Sequence, residues 1–126
     1  MKQNIIREKS AVFAVRIVNL NRHLRKQKVE AVLTNQILRS GTSIAANVQE
    51  ATAAISKDDF SAKISISLKE ARETNFWLKV LADTKTISEL QYKSISADCT
   101  ELEKILFSIM KSTRMKGNGQ TGISKR

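Results

Sequence analysis

The chain is almost free of residues that interrupt regular structure. It contains no proline and only four glycines in 126 residues, and Gly117, Gly119 and Gly122 are confined to its last ten positions. The remaining glycine, Gly41, leaves more than a hundred residues with almost no sites for tight turns. This lack of turn residues favours long helices joined by short connections.

Histidine and cysteine, which supply much of the chemistry of enzymes and metal sites, occur once each, as His23 and Cys99. A single cysteine excludes an intramolecular disulfide and agrees with a reducing cytoplasm. Neither residue has neighbours at metal-ligand spacing, and the chain offers no glycine-rich phosphate loop and no Ser-His-Asp set. We therefore expect no enzymatic activity, no metal and no cofactor, with Cys99 buried as a small apolar residue.

Long apolar runs are also absent. No stretch approaches the roughly 20 apolar residues that a membrane-spanning helix needs, and residues 1–9 lack the apolar centre of a signal peptide. The hydrophobic share of 41% is nevertheless sufficient for the core of a single domain. The composition predicts a soluble cytoplasmic protein with no membrane contact.

The chain does contain strong helical periodicity, with apolar residues three or four positions apart in four successive segments. The first two segments span about residues 5–26 and 30–54. Ser56 and Thr86 each precede a carboxylate by three residues and are the predicted N-caps of the third and fourth segments. Short connections force neighbouring helices to be antiparallel. We predict an all-α, up-down-up-down four-helix bundle over residues 1–113, followed by a disordered basic tail, residues 114–126.

Polar residues form a stripe along one side of the second segment. They lie at offsets 0, 4, 8 and 11 from Arg39, which places them on one helix face. Pairing this segment with the third about a turn near residue 56 predicts an ion pair between Arg39 and Glu70 or Glu73. Half of a di-metal carboxylate site is the alternative, but it would also need Glu-x-x-His motifs. We interpret the residues as a structural polar seam that fixes helix register: Arg39, Ser43, Asn47, Glu50, Glu70 and Glu73.

Positive charge is concentrated at the ends of the chain. The net charge is +10: residues 1–28 contribute +7, residues 29–113 contribute −1 and residues 114–126 contribute +4. This distribution favours nucleic acid as a partner, bound through phosphates because the few aromatic residues fall mostly on core stripes. The candidate phosphate contacts are Arg7, Lys9, Arg16, Arg22, Arg25, Lys26 and Lys28, supplemented in the tail by Arg114, Lys116, Lys125 and Arg126.

The composition leaves a second function open, in which the charge is incidental and the protein is an interaction scaffold. Val15 and Val18 lie outside the main apolar stripe of the first segment and hint at a subunit contact. Binding assays across a salt series would separate the two functions.

The stretch QILRSGTSIAANVQEA, residues 36–51, resembles the signature of a bacterial four-helix-bundle family. Its members include proteins encoded by intervening sequences within 23S ribosomal RNA genes. The resemblance continues in residues 4–10, 56–60 and 69–78 and covers about residues 4–113. Two departures are Ala51, where many relatives have glycine, and the lack of a proline before the second helix.

This resemblance implies a non-enzymatic bundle with a basic surface that assembles into a ring, typically a homopentamer. It extends to the accessory variability proteins of diversity-generating retroelements, which bind a reverse transcriptase and nucleic acid. We therefore expect an oligomeric protein that binds RNA or DNA. The alternative is an oligomeric scaffold, such as an accessory subunit of a reverse transcriptase.

Overall fold

Four helices account for nearly all of the described chain. The computed structural model describes the backbone of residues 2–121 and the side chains of residues 3–114. Packing contacts join each helix to the next and the last back to the first, which confirms the predicted antiparallel four-helix bundle. The helices are α1 (Lys2–Lys26), α2 (Ala31–Thr52), α3 (Lys57–Asp83) and α4 (Glu89–Thr121).

The last helix continues beyond residue 113, where we placed the end of the bundle. Its backbone is helical as far as Thr121, whereas residues 122–126 lie outside the described residues. Arg114 is exposed, and the side chains of Lys116, Lys125 and Arg126 are not described. The disorder expected for residues 114–126 stays a prediction.

The start of α3 agrees with the sequence, and the start of α4 does not. The Ser56 hydroxyl accepts a hydrogen bond from the Asp59 N–H at 3.0 Å, as expected of an N-cap. At α4, the predicted cap Thr86 is wrong, because the Thr86 N–H bonds to the Leu81 carbonyl and so completes the end of α3. Ser88 caps α4 instead, in a reciprocal capping box with Gln91 whose two bonds measure 2.8 and 3.0 Å.

Helices α1 and α2 approach each other closely at Gly41. A Cβ atom at this position would lie 2.7 and 2.8 Å from the two γ-carbons of Ile17 on α1. Ile17 is fully buried, so it has little room to move away. Gly41 is therefore the residue that permits this crossing, which explains the only glycine before the tail.

A polar side chain bridges each seam between neighbouring helices. The Asn21 amide donates to the Thr34 carbonyl between α1 and α2, at 2.7 Å. Asn75 joins α3 to α4, where its amide oxygen accepts a hydrogen bond from the Ser96 hydroxyl at 2.9 Å. Arg39 and Arg16 occupy the α2–α3 and α1–α4 seams. A buried polar group is satisfied only where its partner lies at the same position along the bundle axis. These contacts therefore oppose sliding of the helices past one another.

The predicted pairing of α2 with α3 is present in the structure. The Arg39 guanidinium donates to the Glu70 carboxylate at 3.0 Å and also pairs with Glu73. Farther along the hairpin, Lys63 pairs with Glu50 at 2.9 Å. Asn47 makes its hydrogen bonds within α2, to the carbonyl and hydroxyl of Ser43. The ion pairs thus cross the hairpin, while Ser43 and Asn47 stabilise their own helix.

The Glu73 carboxyl is held in its charged form. The Trp77 indole N–H donates to it at 3.0 Å, and this bond, followed by the contact with Arg39, lowers the pKa of Glu73 against an opposing effect of burial. The same contact with Glu73 raises the pKa of Arg39. Both partners therefore remain ionised across the physiological pH range.

We expect Gly41→Ala to destabilise the fold. Overpacking against Ile17 costs about 1–3 kcal/mol, whereas alanine gains about 1 kcal/mol of helix propensity. Urea unfolding should show a net loss, and Ala46→Gly, at an exposed position on the same helix, calibrates the propensity contribution. A Gly41→Ala variant that is more stable than the wild type would contradict the close crossing.

Arg39→Met should lower the free energy of unfolding by about 1 kcal/mol at pH 7, a size limited by the exposure of the pair. The Trp77 bond is the largest cause of the lowered pKa of Glu73 and is kept in the variant, which loses only the part due to Arg39; that part is full above the unfolded pKa of about 4.3. This contribution disappears as the pH falls through the lowered value, so wild type and variant should converge in acid.

The exposed Lys79–Asp83 pair, one helical turn apart at 2.7 Å, provides a control for this experiment. Lys79→Met should change stability little at any pH, because solvent screens such pairs. Equal stability of wild type and Arg39→Met at pH 7 would show that the ion pair does not fix the register.

Candidate nucleic-acid interface

Helix α1 presents its apolar face to the core and most of the predicted cations to solvent. Ile6, Phe13 and Ile17 are buried at helical spacing, so the basic residues between them point outward. Arg16 is half-buried, and the other candidate phosphate contacts are exposed: Arg7, Lys9, Arg22, Arg25, Lys26 and Lys28. Their environments nevertheless differ, and they separate into three groups.

The first group pairs with acidic residues of α4. The Arg16 guanidinium donates to the Asp98 carboxylate at 2.7 Å and to the Ser94 hydroxyl at 2.8 Å. Lys9 lies 3.2 Å from the Glu101 carboxylate. These two cations therefore close the α1–α4 seam, and a phosphate would have to compete with a carboxylate for either of them.

Sequence reasoning did not identify these acidic partners, although a signal was present. Asp98 and Glu101 lie one turn apart on α4, which runs antiparallel to α1. Because no turn joins α1 to α4, this spacing alone does not fix where the two carboxylates meet α1.

Two clefts flank Arg16 along this seam, which is the least closely packed of the four. One has a volume of about 250 Å³ and is lined in part by Val12, Phe13 and Leu102. The other, of about 320 Å³, lies between His23 on α1 and Ile87 near the start of α4.

The second group is Arg7 alone, which lies near the N-terminal end of α1. It lines an open pocket of about 550 Å³ beside the α2–α3 turn, together with Lys57 and Thr113. Arg7 forms no side-chain ion pair within the part of the chain that the structure describes. It is accessible but distant along α1 from the other unpaired cations.

The third group, which we call the terminal cluster, comprises Arg22, Arg25, Lys26 and Lys28. All four side chains are exposed, and none forms an ion pair among the described residues. Four cations within seven positions produce a strong local positive potential. The terminal cluster is therefore the part of the predicted line of cations that is most available to an anionic partner.

The groups that could support other chemistry are occupied or buried. Arg39 binds both Glu70 and Glu73, and residues 3–114 contain no group of three side chains able to hold a metal ion. Cys99 is fully buried and donates to the Ala71 carbonyl at 3.2 Å, which confirms its predicted place in the core. Burial raises the pKa of its thiol to about 12, so the thiolate is scarce at neutral pH.

Within the described helices, none combines the length and apolar character that a membrane crossing requires.

Comparison with known proteins connects this fold to one family. No curated protein matches the chain. It is similar to the crystal structure of a protein of unknown function from the S23 ribosomal protein family of Bacteroides thetaiotaomicron, with 52% identity and a TM-score of 0.86, over 88% of this chain and 99% of that one. The profile described as 23S rRNA-intervening sequence protein matches residues 2–108. The chain therefore belongs to the family of 23S rRNA-intervening sequence proteins.

Proposed function

We propose that the protein is a non-enzymatic, oligomeric bundle that binds nucleic acid in the cytoplasm through phosphate contacts. The observation that carries this proposal is the terminal cluster, with four exposed and unpaired cations at one end of α1. A net charge of +10 adds long-range attraction toward a polyanion. The family description, which associates its members with 23S rRNA, supports RNA as the first ligand to test.

The candidate residues contribute unequally in this proposal. Arg22, Arg25, Lys26 and Lys28 make the principal phosphate contacts in this proposal, with Arg7 as a separate contact. Lys9 and Arg16 contribute less because Glu101 and Asp98 already hold them. The cations of residues 114–126 add non-specific attraction.

Self-assembly is the second part of the proposal. Val12 and Val15, 70% and 61% exposed, lie on the outward side of α1, and a subunit contact there would remove them from water. Val18, the other candidate from the sequence, is partly buried. A homopentamer is the assembly implied by the resemblance described above.

A protein-binding scaffold, such as an accessory subunit of a reverse transcriptase, is the alternative function. An exposed aromatic residue on α3 favours it: Phe76 is 58% exposed and packs edge-on against Trp77, with ring centroids 5.0 Å apart. Exposed aromatic residues are frequent in the centres of protein interfaces. Absence of nucleic-acid binding would leave this function as the better account.

Replacing Arg22, Arg25 and Lys26 with glutamine should weaken binding to duplex RNA strongly. Affinity measured by fluorescence anisotropy across a salt series should fall, because each lost phosphate contact reduces counterion release. The slope of log K against log salt should decrease by about one for each residue that contacts a phosphate.

A variant with glutamine at Lys69, Arg72 and Lys104 carries the same charge change at exposed positions of α3 and α4. It should retain most of the affinity and slope. If both triple variants lose affinity equally, net charge rather than the terminal cluster is responsible. If the wild type does not bind at about 50 mM salt, the nucleic-acid function is wrong.

Light scattering should give the wild type a mass near five times the 14.1 kDa of the chain. Val12→Glu combined with Val15→Glu should shift that mass toward the monomer, because the contact would have to bury two charges. Val32→Glu, at an equally exposed position on α2, should leave assembly unchanged. A monomeric wild type would contradict self-assembly, and an unchanged double variant would contradict this location for the contact.

A further inference from the structure

Two lysines adopt the same unusual backbone conformation. Lys28, which follows α1, has a φ of 60°, and Lys85, which follows α3, has a φ of 62°. Within the described residues they are the non-glycine positions with positive φ. Side chains with a Cβ atom rarely occupy this left-handed region, where glycine is normally favoured.

Both lysines occupy equivalent positions in equivalent turns. After α1, the Val29 N–H bonds to the Leu24 carbonyl at 3.1 Å and the Lys28 N–H to the Arg25 carbonyl at 3.0 Å. After α3, Thr86 bonds to Leu81 at 2.9 Å and Lys85 to Ala82 at 3.0 Å. This hydrogen-bond pattern ends a helix with a left-handed residue, which is usually glycine. Each lysine therefore carries a conformational cost that glycine would avoid.

The two turns lie at the same end of the bundle. Helices α1 and α3 run in the same direction in this topology, so their C-terminal ends face the same side. His23, near the end of α1, and Ile87, just after the α3 turn, line a common cleft, which agrees with this arrangement. Since α1 and α3 are diagonal neighbours, their axes are about 11–14 Å apart for ordinary packing distances.

Positive charge predominates at this end. Arg22, Arg25 and Lys26 surround the first turn, while Lys93 is an exposed cation on the first part of α4. The nearby acids are Glu30, Asp83 and Glu89, and Lys79 neutralises Asp83 at 2.7 Å. Lys28 and Lys85 themselves are exposed and form no ion pair among the described residues.

Strained residues that persist against a conformational cost are frequent at functional sites. A favourable interaction with the helix dipole is one explanation for a cation after a helix. At α1, however, His23, Arg25 and Lys26 already occupy the last turn, so Lys28 adds little to that effect. The last turn of α3 holds no basic residue, so the helix dipole explains part of the preference for Lys85, whereas Lys28 is better explained by binding of a ligand.

We propose that Lys28 and Lys85 together form a contact for a phosphodiester backbone at this end of the bundle. Because α1 and α3 are diagonal neighbours, a ligand that carries several phosphates suits the two lysines better than one isolated phosphate. This inference rests on the proposed nucleic-acid binding and extends the binding surface from the terminal cluster to the α3–α4 turn, which the sequence did not implicate.

The test is to replace the two lysines with glycine, singly and together. Each Lys→Gly change should raise the melting temperature by about 2–4 °C, because the turn strain is relieved. Affinity for duplex RNA and for duplex DNA of the same sequence should fall, with the salt slope reduced by about one for each lysine. Equal losses on the two duplexes would assign the contact to the shared phosphate backbone.

Two further variants separate charge from backbone conformation. Lys28→Arg with Lys85→Arg keeps both charges in the left-handed positions and should bind like the wild type. Lys28→Gln with Lys85→Gln removes the charges at these same positions and should bind as weakly as the glycine variant. Lys69→Gln with Lys104→Gln provides a charge-matched control on exposed helix faces.

Unchanged affinity of the double glycine variant would overturn the inference and leave both lysines as turn residues. If neutralising Arg22, Arg25 and Lys26 still weakens binding in that case, the proposed function survives without this contact. A folded wild type that binds neither duplex at about 50 mM salt would overturn both.

Discussion

The positions of the four helices along the bundle axis depend on polar contacts between each pair of neighbouring helices. Buried apolar side chains interlock closely, and buried polar groups such as the Asn21 amide and the Ser67 hydroxyl must in addition meet their partners. Arg39 is held between Glu70 and Glu73, and the Ser67 hydroxyl donates to the Ile44 carbonyl at 2.8 Å in the same hairpin. With α2 and α3 fixed in this way, the turns and the ends of the bundle take defined positions.

The position of α1 along the bundle axis also decides which of its cations remain available to a ligand. Gly41 allows α1 to pack closely against α2. In this position of α1, Lys9 pairs with Glu101 and Arg16 pairs with Asp98. Glu89 begins α4 at the same end of the bundle, but the terminal cluster forms no ion pair with it or with any other described residue. The line of basic residues in the sequence is thus divided in the structure into cations that pair with α4 and a separate exposed group, the terminal cluster.

Patterns that depend on local spacing predicted the fold well. The apolar period gave four helices, Ser56 marked the start of α3, and the polar stripe led to the Arg39 ion pairs. The start of α4 was placed too early because Thr86 and Ser88 are both plausible caps. Only the hydrogen bonds show that Thr86 completes the α3 turn.

The candidate site was predicted less completely, because it depends on contacts between distant parts of the chain. The pairing of Arg16 with Asp98 required the level of α1 against α4, which the sequence alone did not fix. The left-handed conformation of Lys28 and Lys85 has no signature in residue type, since glycine or asparagine is the expected signal at such turns. Only the backbone dihedral angles show that these two lysines are left-handed.

The central claim is that nucleic acid contacts the terminal cluster and not the α1–α4 seam. Amine-reactive labelling of the lysines, read by mass spectrometry with and without duplex RNA, tests it residue by residue in the folded protein. The account predicts that RNA protects Lys26 and Lys28 strongly and leaves Lys9, Lys69 and Lys104 at their unbound reactivity. Protection of Lys9 with unchanged labelling of Lys26 and Lys28 would contradict it.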